Sequence, residues 1–507
     1  MTSLLGLDSG LTVTKAVLFD EDGRELAVAR RRVPQSMPRP RHVERDMDGL
    51  WAATAAAIAE TIDRSGRPAG DIAVVAATAH GDGLYLVDAG LRPLGPGILS
   101  LDSRASAIAA DWTGNPAVSA QALDLTGQLP HASSPAALLA WIAREEPERL
   151  SRVGHVLSCK DWLRLCLTGA VGTDRTEAST AFTNVRTQDY DPRALELYGL
   201  SALALAPALP AIAASADIVG HVTNEAAART GLVAGTPVAA GLHDVTASAL
   251  GTGGHRKGTA DVVAGTYSIN QIVSDHPRTD ARWFCRNGIA PGTWNSMSIS
   301  PASTANYDWF IETFCAGTHR GGDIHDELAA EVRGALDRPS TLVFHPFLFG
   351  APHGPHPSGG FIGLHGWHAR GDMLRAVLEG IAFNHCHHVN ALSDGFSFDA
   401  VRLSGGVSRN SDCAQMMADV LALPVTVSST GEAAAWGAAL CAGAAAGIFE
   451  TPFDDPRDLG AISRTHWPDE ARHAAHEKRR AVYEKAITAL QPLWPDLEAL
   501  AETEVLS

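Results

Sequence analysis

Two short loops that contain glycine, each preceded by an apolar run, are the most restrictive feature of this sequence. They lie at residues 5–15 (LGLDSGLTVTK) and at residues 262–268 (VVAGTYS). Each pattern predicts a strand, a tight turn and a second strand, and glycine and small hydroxyl residues in such a turn leave backbone N–H groups facing an anion. Because the loops are about one domain apart, the sequence predicts a duplicated fold with a polyphosphate bound between its halves.

The length and composition of the chain predict a globular protein with two large domains. The chain has 507 residues, which exceeds the size of one ordinary hydrophobic core, and 45% of them are hydrophobic. A glycine-rich stretch at residues 251–258 is the best boundary. It divides the chain into an N-terminal domain, 1–250, and a C-terminal domain, 251–507.

The net charge of the chain excludes one class of partner. A value of −17 at pH 7 argues against a general nucleic-acid binder, because such a protein needs basic surface. It does not exclude an anionic small ligand, since a local lysine, a Mg²⁺ ion or a group of backbone N–H donors can outweigh the global field. We therefore expect a small molecule as the partner and no nucleic acid.

Cysteine usage and hydropathy predict a cytoplasmic protein without a membrane span. The seven cysteines are scattered and form no C-x-x-C pair, which is typical of a reducing compartment and of neither a disulfide framework nor a zinc site. No window of about 18 residues is continuously apolar, so no membrane-spanning helix is expected. The N-terminus has no basic segment followed by an apolar stretch, and we expect no signal peptide.

Strands and helices alternate along the sequence, which predicts an α/β fold with its site at the loops that follow the strands. The patterns predict a hairpin within residues 3–30, a helix from Asp46 or Asp48 to about Asp63, further helices at 137–149, 155–167, 412–421 and 469–491, and strands at 72–78, 238–242 and 401–403. The run Lys478-Arg479-Arg480 in the terminal helix is predicted to be a solvated face.

The first loop carries residue types suited to phosphoryl transfer from a nucleotide. That chemistry needs groups that hold the phosphates, a divalent metal that neutralises charge and a hydroxyl aimed at the γ-phosphorus. Asp8 is the candidate metal ligand, directly or through water. Thr12, Lys15 and the N–H groups around Gly10 are candidate phosphate donors. An ordinary β-hairpin with a surface lysine explains this loop equally well.

Two loops in the C-terminal half are candidates for the rest of the nucleotide. Gly265 and Thr266 could hold the other side of the phosphates, while Gly405 and Gly406 with Asn410 could let an adenosine lie flat on the backbone. Taken alone, each loop is explained better by a simple turn. The first fits a bulged strand turn, and the second fits a strand-to-helix turn that needs glycine for its φ angles.

Asp244 is the candidate catalytic base. It follows an apolar strand, and a carboxylate at the end of a strand in an α/β sheet can accept the proton of an attacking hydroxyl. The alternative is an N-cap for the helix that follows, which is a common role for aspartate. The two roles are compatible.

A set of polar residues in the N-terminal half is suited to a ligand rich in hydroxyl groups, because such a ligand needs paired donors and acceptors. Taken alone, each of them fits an ordinary surface or capping residue better. The candidate substrate-binding residues are the polar His80, Asp82, Asp102, Arg104 and Asp161, together with Gly81 between the first two.

Together these motifs resemble the FGGY family of carbohydrate kinases over nearly the whole chain, because they are numerous and occur in the expected order. The segments that carry the resemblance are Leu7 to Lys15, Val43 to Asp46 with Trp51, the stretch from Leu209 to Asp244, Gly265-Thr266, Phe361 to Leu364, Glu379 to Phe383, Ser404 to Gly406 and Glu432 to Ala439.

The resemblance implies an actin-like, ribonuclease H-like ATPase fold that is duplicated into two domains with a central cleft, which closes over ATP and a sugar. It implies that Asp244 is the base and that Asp8 orients Mg²⁺. It also implies a homodimer, which is common in the family. By the same resemblance, the N-terminal domain would bind the sugar and the C-terminal domain would bind the nucleotide and end in the terminal helix.

Two segments depart from the family pattern, and three others resemble one branch of the family. Leu11 stands where many members carry a hydroxyl residue, and the segment Gly350 to His353 replaces a Gly-Glu-Arg-x-Pro loop. The segments Ala79 to Leu84, Ser100 to Ala105 and Cys159 to Leu163 resemble those of the L-xylulose kinase and erythritol kinase branch.

The function implied is ATP-dependent phosphorylation of a terminal hydroxyl of a small ketose or polyol, with a pentulose such as L-xylulose favoured. Erythritol, D-xylulose and glycerol are alternatives within the family. A non-enzymatic, actin-like ATP-binding module is the alternative from another class.

Overall fold

The computed structural model describes residues 2–203, 205–315, 324–336, 338–354 and 356–502. The chain divides into two compact units, each built from several stretches of sequence. Unit 1 comprises Met1–His255, Val273–Ser296 and Thr430–Leu459, and unit 2 comprises Arg256–Ile272, Met297–Ser429 and Gly460–Ser507. The stretch 430–459, from the predicted C-terminal domain, therefore groups with unit 1. The predicted boundary at residue 250 stays a prediction.

The strands, in chain order, are β1 Ser3–Ser9, β2 Val13–Asp20, β3 Glu25–Arg32, β4 Glu44–Arg45, β5 Ile72–Ala79, β6 Tyr85–Val87, β7 Gly97–Ile98, β8 His155–Leu157, β9 Thr173–Asp174, β10 Ile212–Ala213, β11 Ile218–His221, β12 Pro237–Ala239, β13 Leu242–His243, β14 Thr259–Ala264, β15 Ser268–Ser274, β16 Phe284–Asn287, β17 Trp294–Ser300, β18 Val343–His345, β19 Gly360–Ile362, β20 Ala400–Ser404, β21 Val425–Ser428 and β22 Ser463–His466.

The α-helices are α1 Met47–Ser65, α2 Ser106–Gly114, α3 Pro116–Thr126, α4 Pro135–Glu145, α5 Pro147–Leu150, α6 Cys159–Thr168, α7 Arg175–Ala178, α8 Pro192–Leu197, α9 Asn224–Thr230, α10 Asp244–Thr252, α11 Thr304–Phe314, α12 Ile324–Leu336, α13 Arg370–Ser393, α14 Ser411–Leu421, α15 Ala433–Ala445, α16 Glu470–Leu490 and α17 Trp494–Glu502.

The sheet of unit 1 has the strand order β11-β12-β5-β1-β2-β3, with β13 also paired to β5. Strand β1 is antiparallel to β2 and parallel to β5, and β13 is parallel to β5. The residues of β1 and β5 are almost all buried, which agrees with their continuous apolar sequences. The predicted hairpin at residues 3–30 is confirmed as β1, β2 and β3.

Helix α1 illustrates how local signals place an element. Asp46 is its N-cap and accepts the N–H of Asp48, and Gly66 ends it in the left-handed conformation at φ 63°. Its apolar face includes Leu50, Trp51 and other buried residues of the core of unit 1. The predicted helix at this position is confirmed.

Helix α15 comes from the C-terminal part of the sequence and packs closely on the N-terminal elements of unit 1. A Cβ atom on Gly6 would lie 2.1 Å from the carbonyl oxygen of Ala435, and one on Gly437 would lie 2.0 Å from that of Ala247. Only residues without a side chain allow backbones to approach in this way. The small-residue sequence of α15 therefore explains why it joins the N-terminal strands.

Unit 2 repeats the strand pattern of unit 1. Its sheet contains the order β17-β15-β14-β20-β21-β22. Strand β14 is antiparallel to β15 and parallel to β20, as β1 is antiparallel to β2 and parallel to β5. Both glycine-containing loops thus connect the first two antiparallel strands of a sheet, which is the duplication that the sequence predicts.

Four local predictions are wrong in detail. The helix predicted at 137–149 is divided at Glu146 into α4 and α5. The helix predicted at 155–167 begins at Cys159, because residues 155–157 pair with β6 as β8. The strand predicted at 238–242 is divided into β12 and β13. Arg479 does not belong to a solvated face, because its guanidinium bonds the buried carboxylate of Glu379 and the carbonyl oxygens of Ser340 and Leu342.

None of the helices in the described part of the chain is long and apolar enough to cross a membrane. None of the seven cysteines forms a disulfide bond in the described part of the chain.

Candidate active site

Three parallel strand ends bring the predicted site residues of unit 1 together. Strand β5 lies between β1 and β13, and Ala79 pairs with both Ser9 and His243. The N–H of His80 also donates to the carbonyl oxygen of Ser9 at 3.0 Å. Because the carboxyl ends of parallel strands share one edge of a sheet, Asp8, His80 and Asp244 become neighbours there.

Asp244 is the first residue of α10, and its Oδ1 accepts the N–H of Val245 at 2.7 Å. Burial raises the pKa of its carboxyl to about 7, and the negative charge of Asp8 adds to the effect. The side chain nevertheless keeps 29% of its surface accessible. A carboxylate with these properties is suited to accept a proton near neutral pH. His243, not Asp244, is the N-cap.

Asp8 and Lys15 face each other across the β1–β2 hairpin, since they are paired in register. Lys15 Nζ lies 3.2 Å from Asp8 Oδ2 and 3.0 Å from Glu432 Oε2. Arg30 also binds the Glu432 carboxylate. Burial raises the pKa of Asp8, although Lys15 opposes the shift. Burial disfavours the Lys15 ammonium, but Asp8 and Glu432 outweigh that effect and raise its pKa.

The turn between β1 and β2 is held by its own backbone and by a buried arginine. The N–H of Gly10 donates to the carbonyl oxygen of Val13 at 2.9 Å, so this donor is already used within the turn. Arg45 binds the carbonyl oxygens of Gly10 and Leu11. Thr12 is exposed at the tip. The phosphate-binding roles of Gly10, Thr12 and Lys15 stay predictions.

The loop after β5 lies against β13. His80 is buried, its Nε2 lies 3.2 Å from the hydroxyl of Tyr85, and burial lowers its pKa to about 3. Gly81 contacts the imidazole of His243, whose pKa burial lowers to about 4. Asp82 adopts a left-handed φ of 56°, which aspartate tolerates better than most residues.

Asp82 begins a chain of polar contacts that ends at the candidate base. Its Oδ1 accepts from Arg286 Nη2 at 2.8 Å, and Arg286 Nη1 lies 3.4 Å from His243 Nε2. His243 Nδ1 in turn lies 3.4 Å from Asp244 Oδ1. The Arg286 guanidinium also donates to Gln128 at 3.0 Å. Burial opposes ionisation of Asp82, but Arg286 and His131 hold the pKa of its carboxyl well below its usual range.

The side chains of Asp102 and Arg104 have no accessible surface. Arg104 donates to both Asp102 oxygens and to Glu44, and Asp102 also accepts the N–H of Val43. The Arg104 guanidinium lies 5.0 Å from the ring centre of Trp141. These contacts indicate support of the surrounding loops rather than an open binding face.

Asp161 is also enclosed. It accepts from Lys160 Nζ at 2.7 Å and from the hydroxyl of Ser158 at 2.9 Å. Lys160 pairs with Asp174 at 3.1 Å, and Asp174 accepts the hydroxyl of Thr176. Because that same hydroxyl accepts the N–H of His243 at 2.9 Å, this buried network fixes the residue before Asp244.

Unit 2 carries the second set of predicted residues at the ends of β14 and β20. Gly405 has a φ of 93°, and a Cβ on it would lie 2.3 Å from the carbonyl oxygen of Ala264. A Cβ on Gly406 would meet nothing within 4 Å, so the backbone borders open space. Gly265 and Gly405 are therefore adjacent, and Thr266 is exposed beside them.

A cavity of about 580 Å³ in unit 2 is bordered by Gly406, the residue after Gly405. Its size suits a nucleoside, because small-molecule pockets span roughly 300–1,000 Å³. Asn410 is the N-cap of α14 and accepts the N–H of Asp412 at 2.8 Å. The cavity is lined by Thr304, Tyr307, Asp308, Ala329, Arg333, Leu378, Gly406, Val407, Arg409, Asn410, Ser411 and Cys413.

Within the described residues, no group of three or more histidine, cysteine, aspartate or glutamate side chains could hold a metal ion. A magnesium ion is usually bound by only one or two carboxylates together with water and substrate phosphates. Asp8 fits such a ligand, because its carboxylate is disfavoured by burial and would be stabilised by a nearby cation.

Sequence reasoning missed Arg286, Gln128 and Glu432. Arg286 and Gln128 follow no motif, and Glu432 was noted only as the first residue of the segment 432–439 that carries part of the family resemblance. All of them contact site residues from distant parts of the sequence.

Comparison with known proteins places these features in a family. The models of the N-terminal and C-terminal domains of the FGGY family of carbohydrate kinases match residues 3–251 and 260–446. An L-xylulose/3-keto-L-gulonate kinase from Escherichia coli K12 is 34% identical over 96% of this chain and 97% of that protein. An erythritol kinase from Brucella abortus is 30% identical over 97% of each chain. The crystal structure of a xylulose kinase from Rhodospirillum rubrum has a TM-score of 0.84 at 27% identity, over 97% of this chain and 99% of that one.

Proposed function

Since the chain belongs to the FGGY family of carbohydrate kinases, we propose that it transfers the γ-phosphoryl group of ATP to a terminal hydroxyl of a small ketose or polyol, with a pentulose such as L-xylulose as the leading substrate. The observation that carries this proposal is the carboxylate of Asp244. It lies at a sheet edge beside Asp8, remains accessible, and has a pKa raised to about 7.

Family membership confirms the resemblance stated from the motifs, including that to the L-xylulose kinase and erythritol kinase branch. The chain is therefore a carbohydrate kinase that acts on small sugar substrates. The predicted fold class is confirmed as well: an α/β, actin-like (ribonuclease H-like) ATPase fold that is duplicated into two domains, as in the solved sugar kinases.

Asp244 acts as the general base of the transfer. The sugar hydroxyl gives its proton to Asp244 while its oxygen forms a bond to the γ-phosphorus and the bond to the leaving diphosphate breaks. Because the transition state of phosphoryl transfer is loose, positioning of the hydroxyl matters as much as the basicity of the carboxylate. The contacts of His243 with Thr176, Gly81 and Arg286 supply that positioning by holding the residue before Asp244.

The nucleotide and the metal ion have separate candidate ligands. In unit 1, Asp8 would hold Mg²⁺, directly or through water, and Lys15, Thr12 and the backbone at Gly10 would contact phosphate. In unit 2, Gly265, Thr266, Gly405, Gly406 and Asn410 would border the ATP. When bound, Mg²⁺ supplies neutralisation of the negative charge on the phosphate oxygens.

The substrate is proposed from the relatives together with the site. One relative is named for L-xylulose and 3-keto-L-gulonate, and another is named for erythritol. The compounds named for this branch are therefore a neutral sugar, a sugar acid and a polyol. D-xylulose and glycerol remain alternatives within the family. Homodimer formation and a cytoplasmic location stay proposals as well.

A coupled assay of ADP release over L-xylulose, D-xylulose, erythritol and glycerol tests the proposal, with sugar phosphate detected by mass spectrometry. We expect turnover with at least one of these compounds and the highest kcat/KM with L-xylulose. The variant Asp244→Asn should bind ATP but lose sugar phosphorylation. ATP hydrolysis that does not depend on any sugar and forms no sugar phosphate would instead support an actin-like binding module.

A further inference from the structure

The paired side chains of Asp82 and Arg286 lie at the end of the contact chain that is farthest from Asp244. Resting on the proposed function, we infer that this pair makes the site select neutral hydroxyl-bearing substrates and reject sugar acids. The pair thus determines substrate class, which is a role separate from the transfer chemistry at Asp244.

The accessible member of the pair is the carboxylate. The side chain of Arg286 is only 2% exposed, whereas that of Asp82 is 17% exposed. Arg286 lies behind Asp82, and its guanidinium carbon is 5.0 Å from the centre of the Phe284 ring. An arriving substrate therefore meets the oxygens of Asp82 before it meets the guanidinium.

The hydrogen bonds of the Arg286 guanidinium are directed to other groups of the protein. Its Nε donates to Gln128 at 3.0 Å, its Nη2 donates to Asp82 at 2.8 Å, and its Nη1 lies 3.4 Å from His243. An arginine binds a carboxylate best through two parallel N–H donors. Here Nε, Nη1 and Nη2 each face a different protein group, so a substrate carboxylate would have to displace at least one of these partners to form such a pair.

Four further basic side chains near this edge of the sheet also have partners among the described residues. Lys15 is shared by Asp8 and Glu432, and Lys160 is enclosed and paired with Asp161 and Asp174. Arg45, in turn, binds the backbone carbonyl oxygens of the first phosphate loop. The imidazole of His131 lies 3.5 Å from the same Asp82 oxygen that Arg286 binds.

A neutral polyol and a sugar acid therefore meet different electrostatic conditions. A hydroxyl group can donate to Asp82, and a hydrogen bond to a carboxylate is stronger than one to a neutral acceptor. A carboxylate at the same place would be repelled by Asp82 and Asp244, and burying it without a cation of its own is costly.

The test is the ratio of kcat/KM for a sugar acid to kcat/KM for a neutral ketose, measured with 3-keto-L-gulonate and L-xylulose. We expect the wild type to favour the neutral ketose. In Asp82→Asn the guanidinium of Arg286 loses its counter-charge but keeps an isosteric neighbour, and the acid-to-neutral ratio should rise by roughly tenfold or more.

Asp124→Asn is the matched control, because it removes one negative charge from an aspartate that pairs with an arginine on the open surface of unit 1, at 72% side-chain exposure. It should leave the ratio unchanged. Equal losses for both substrates in Asp82→Asn, or an unchanged ratio, would show that Asp82 is only structural and would overturn the inference. A wild type that prefers the acid would also overturn it.

A measurement on the wild type covers the case in which Asp82→Asn does not fold. Repulsion between charges is screened by salt, so the acid-to-neutral ratio should rise between about 20 and 300 mM salt. A ratio that falls or stays constant contradicts the inference. Failure to phosphorylate any sugar would instead refute the proposed function, so the two failures are distinguishable.

Discussion

A Cβ atom placed on Gly81 would lie 1.8 Å from Nε2 of His243, so the backbone of the loop after β5 rests directly on this imidazole. No side chain can occupy that space unless the ring moves. Since His243 precedes Asp244 and contacts Arg286, this single contact joins the loop that carries Asp82 to the candidate base.

The variant Gly81→Ala should therefore lose activity without unfolding. The added methyl group displaces His243, and a shift of about 1 Å in a positioning group can cost about a hundredfold in rate. Steady-state kinetics give kcat, and thermal melting reports folding. Gly70→Ala is the control, because a Cβ there meets nothing within 4 Å. Full activity in Gly81→Ala would contradict the role assigned to this contact.

Asp244 should lower the stability of the folded protein at neutral and alkaline pH. Folding raises the pKa of Asp244 from 3.8 to about 7. Between these pH values the unfolded chain binds fewer protons at Asp244 than the folded chain does, so this residue lowers the free energy of unfolding as the pH rises from 3.8 to 7. Asp244→Asn removes this cost. Its gain in Tm over the wild type, measured with EDTA and without nucleotide, should be larger at pH 8 than at pH 4.5.

The same comparison with Asp124→Asn should show little dependence on pH, since that aspartate is exposed. A Tm gain for Asp244→Asn that is equal at both pH values would mean that the carboxyl titrates normally in the folded enzyme.

A buried ion-pair network in unit 2 should contribute strongly to stability. The Glu379 carboxylate accepts from Arg375 at 3.0 Å and from Arg479 at 3.0 Å, and its side chain is 2% exposed. Removal of one partner from a buried pair typically costs about 3–5 kcal/mol, because the remaining charges stay buried. Urea denaturation should therefore show a loss of this size in Glu379→Gln.

Glu484→Gln is the matched control, because Glu484 pairs with Arg480 at 53% side-chain exposure. Exposed pairs contribute about 0–1 kcal/mol. Equal effects of the two variants would exclude the special contribution of the buried network.

His255 should be a site where substitution stabilises the protein. Neither ring nitrogen has a hydrogen-bond partner among the described residues, although the ring is buried and stacks on Phe453 at 6.1 Å. His255→Phe should gain about 1–3 kcal/mol, because the unsatisfied polar atoms disappear while the stacking remains. Urea denaturation at pH 8 measures the change.

The gain should increase under mildly acidic conditions. Burial lowers the pKa of His255 to about 4, against 6.5 for the free side chain. The unfolded chain therefore binds more protons at this residue, and the free energy of unfolding of the wild type decreases as the pH falls from 6.5 to 4. Phenylalanine does not titrate, so the variant has no such loss. The exposed His276→Phe should show no comparable gain. A destabilised His255→Phe at both pH values would indicate that the added volume does not fit.

Prediction from the sequence succeeded where the deciding signals are local. The turn at Gly10, the capped helix after Asp46 and the strand end at Asp244 all depend on residues a few positions apart. The substrate-binding roles of Asp102, Arg104 and Asp161 stay predictions. The sequence did not show that these polar residues, which lie in loops or at a helix start, are enclosed by partners in the folded chain. Their residue types are the same for a binding face and for an internal support.

The amino-acid sequence by itself determined the strands, the turns between them and hence the strand-end positions of Asp8, His80 and Asp244, because apolar periodicity, capping and glycine act over a few residues. Only the tertiary structure decided which carboxylates are neutralised and which stay accessible. Asp82 meets Arg286 across 204 positions, and Lys15 meets Glu432 across 417. The energy of such pairs depends on distance and burial, which are properties of the folded chain and not of any local pattern.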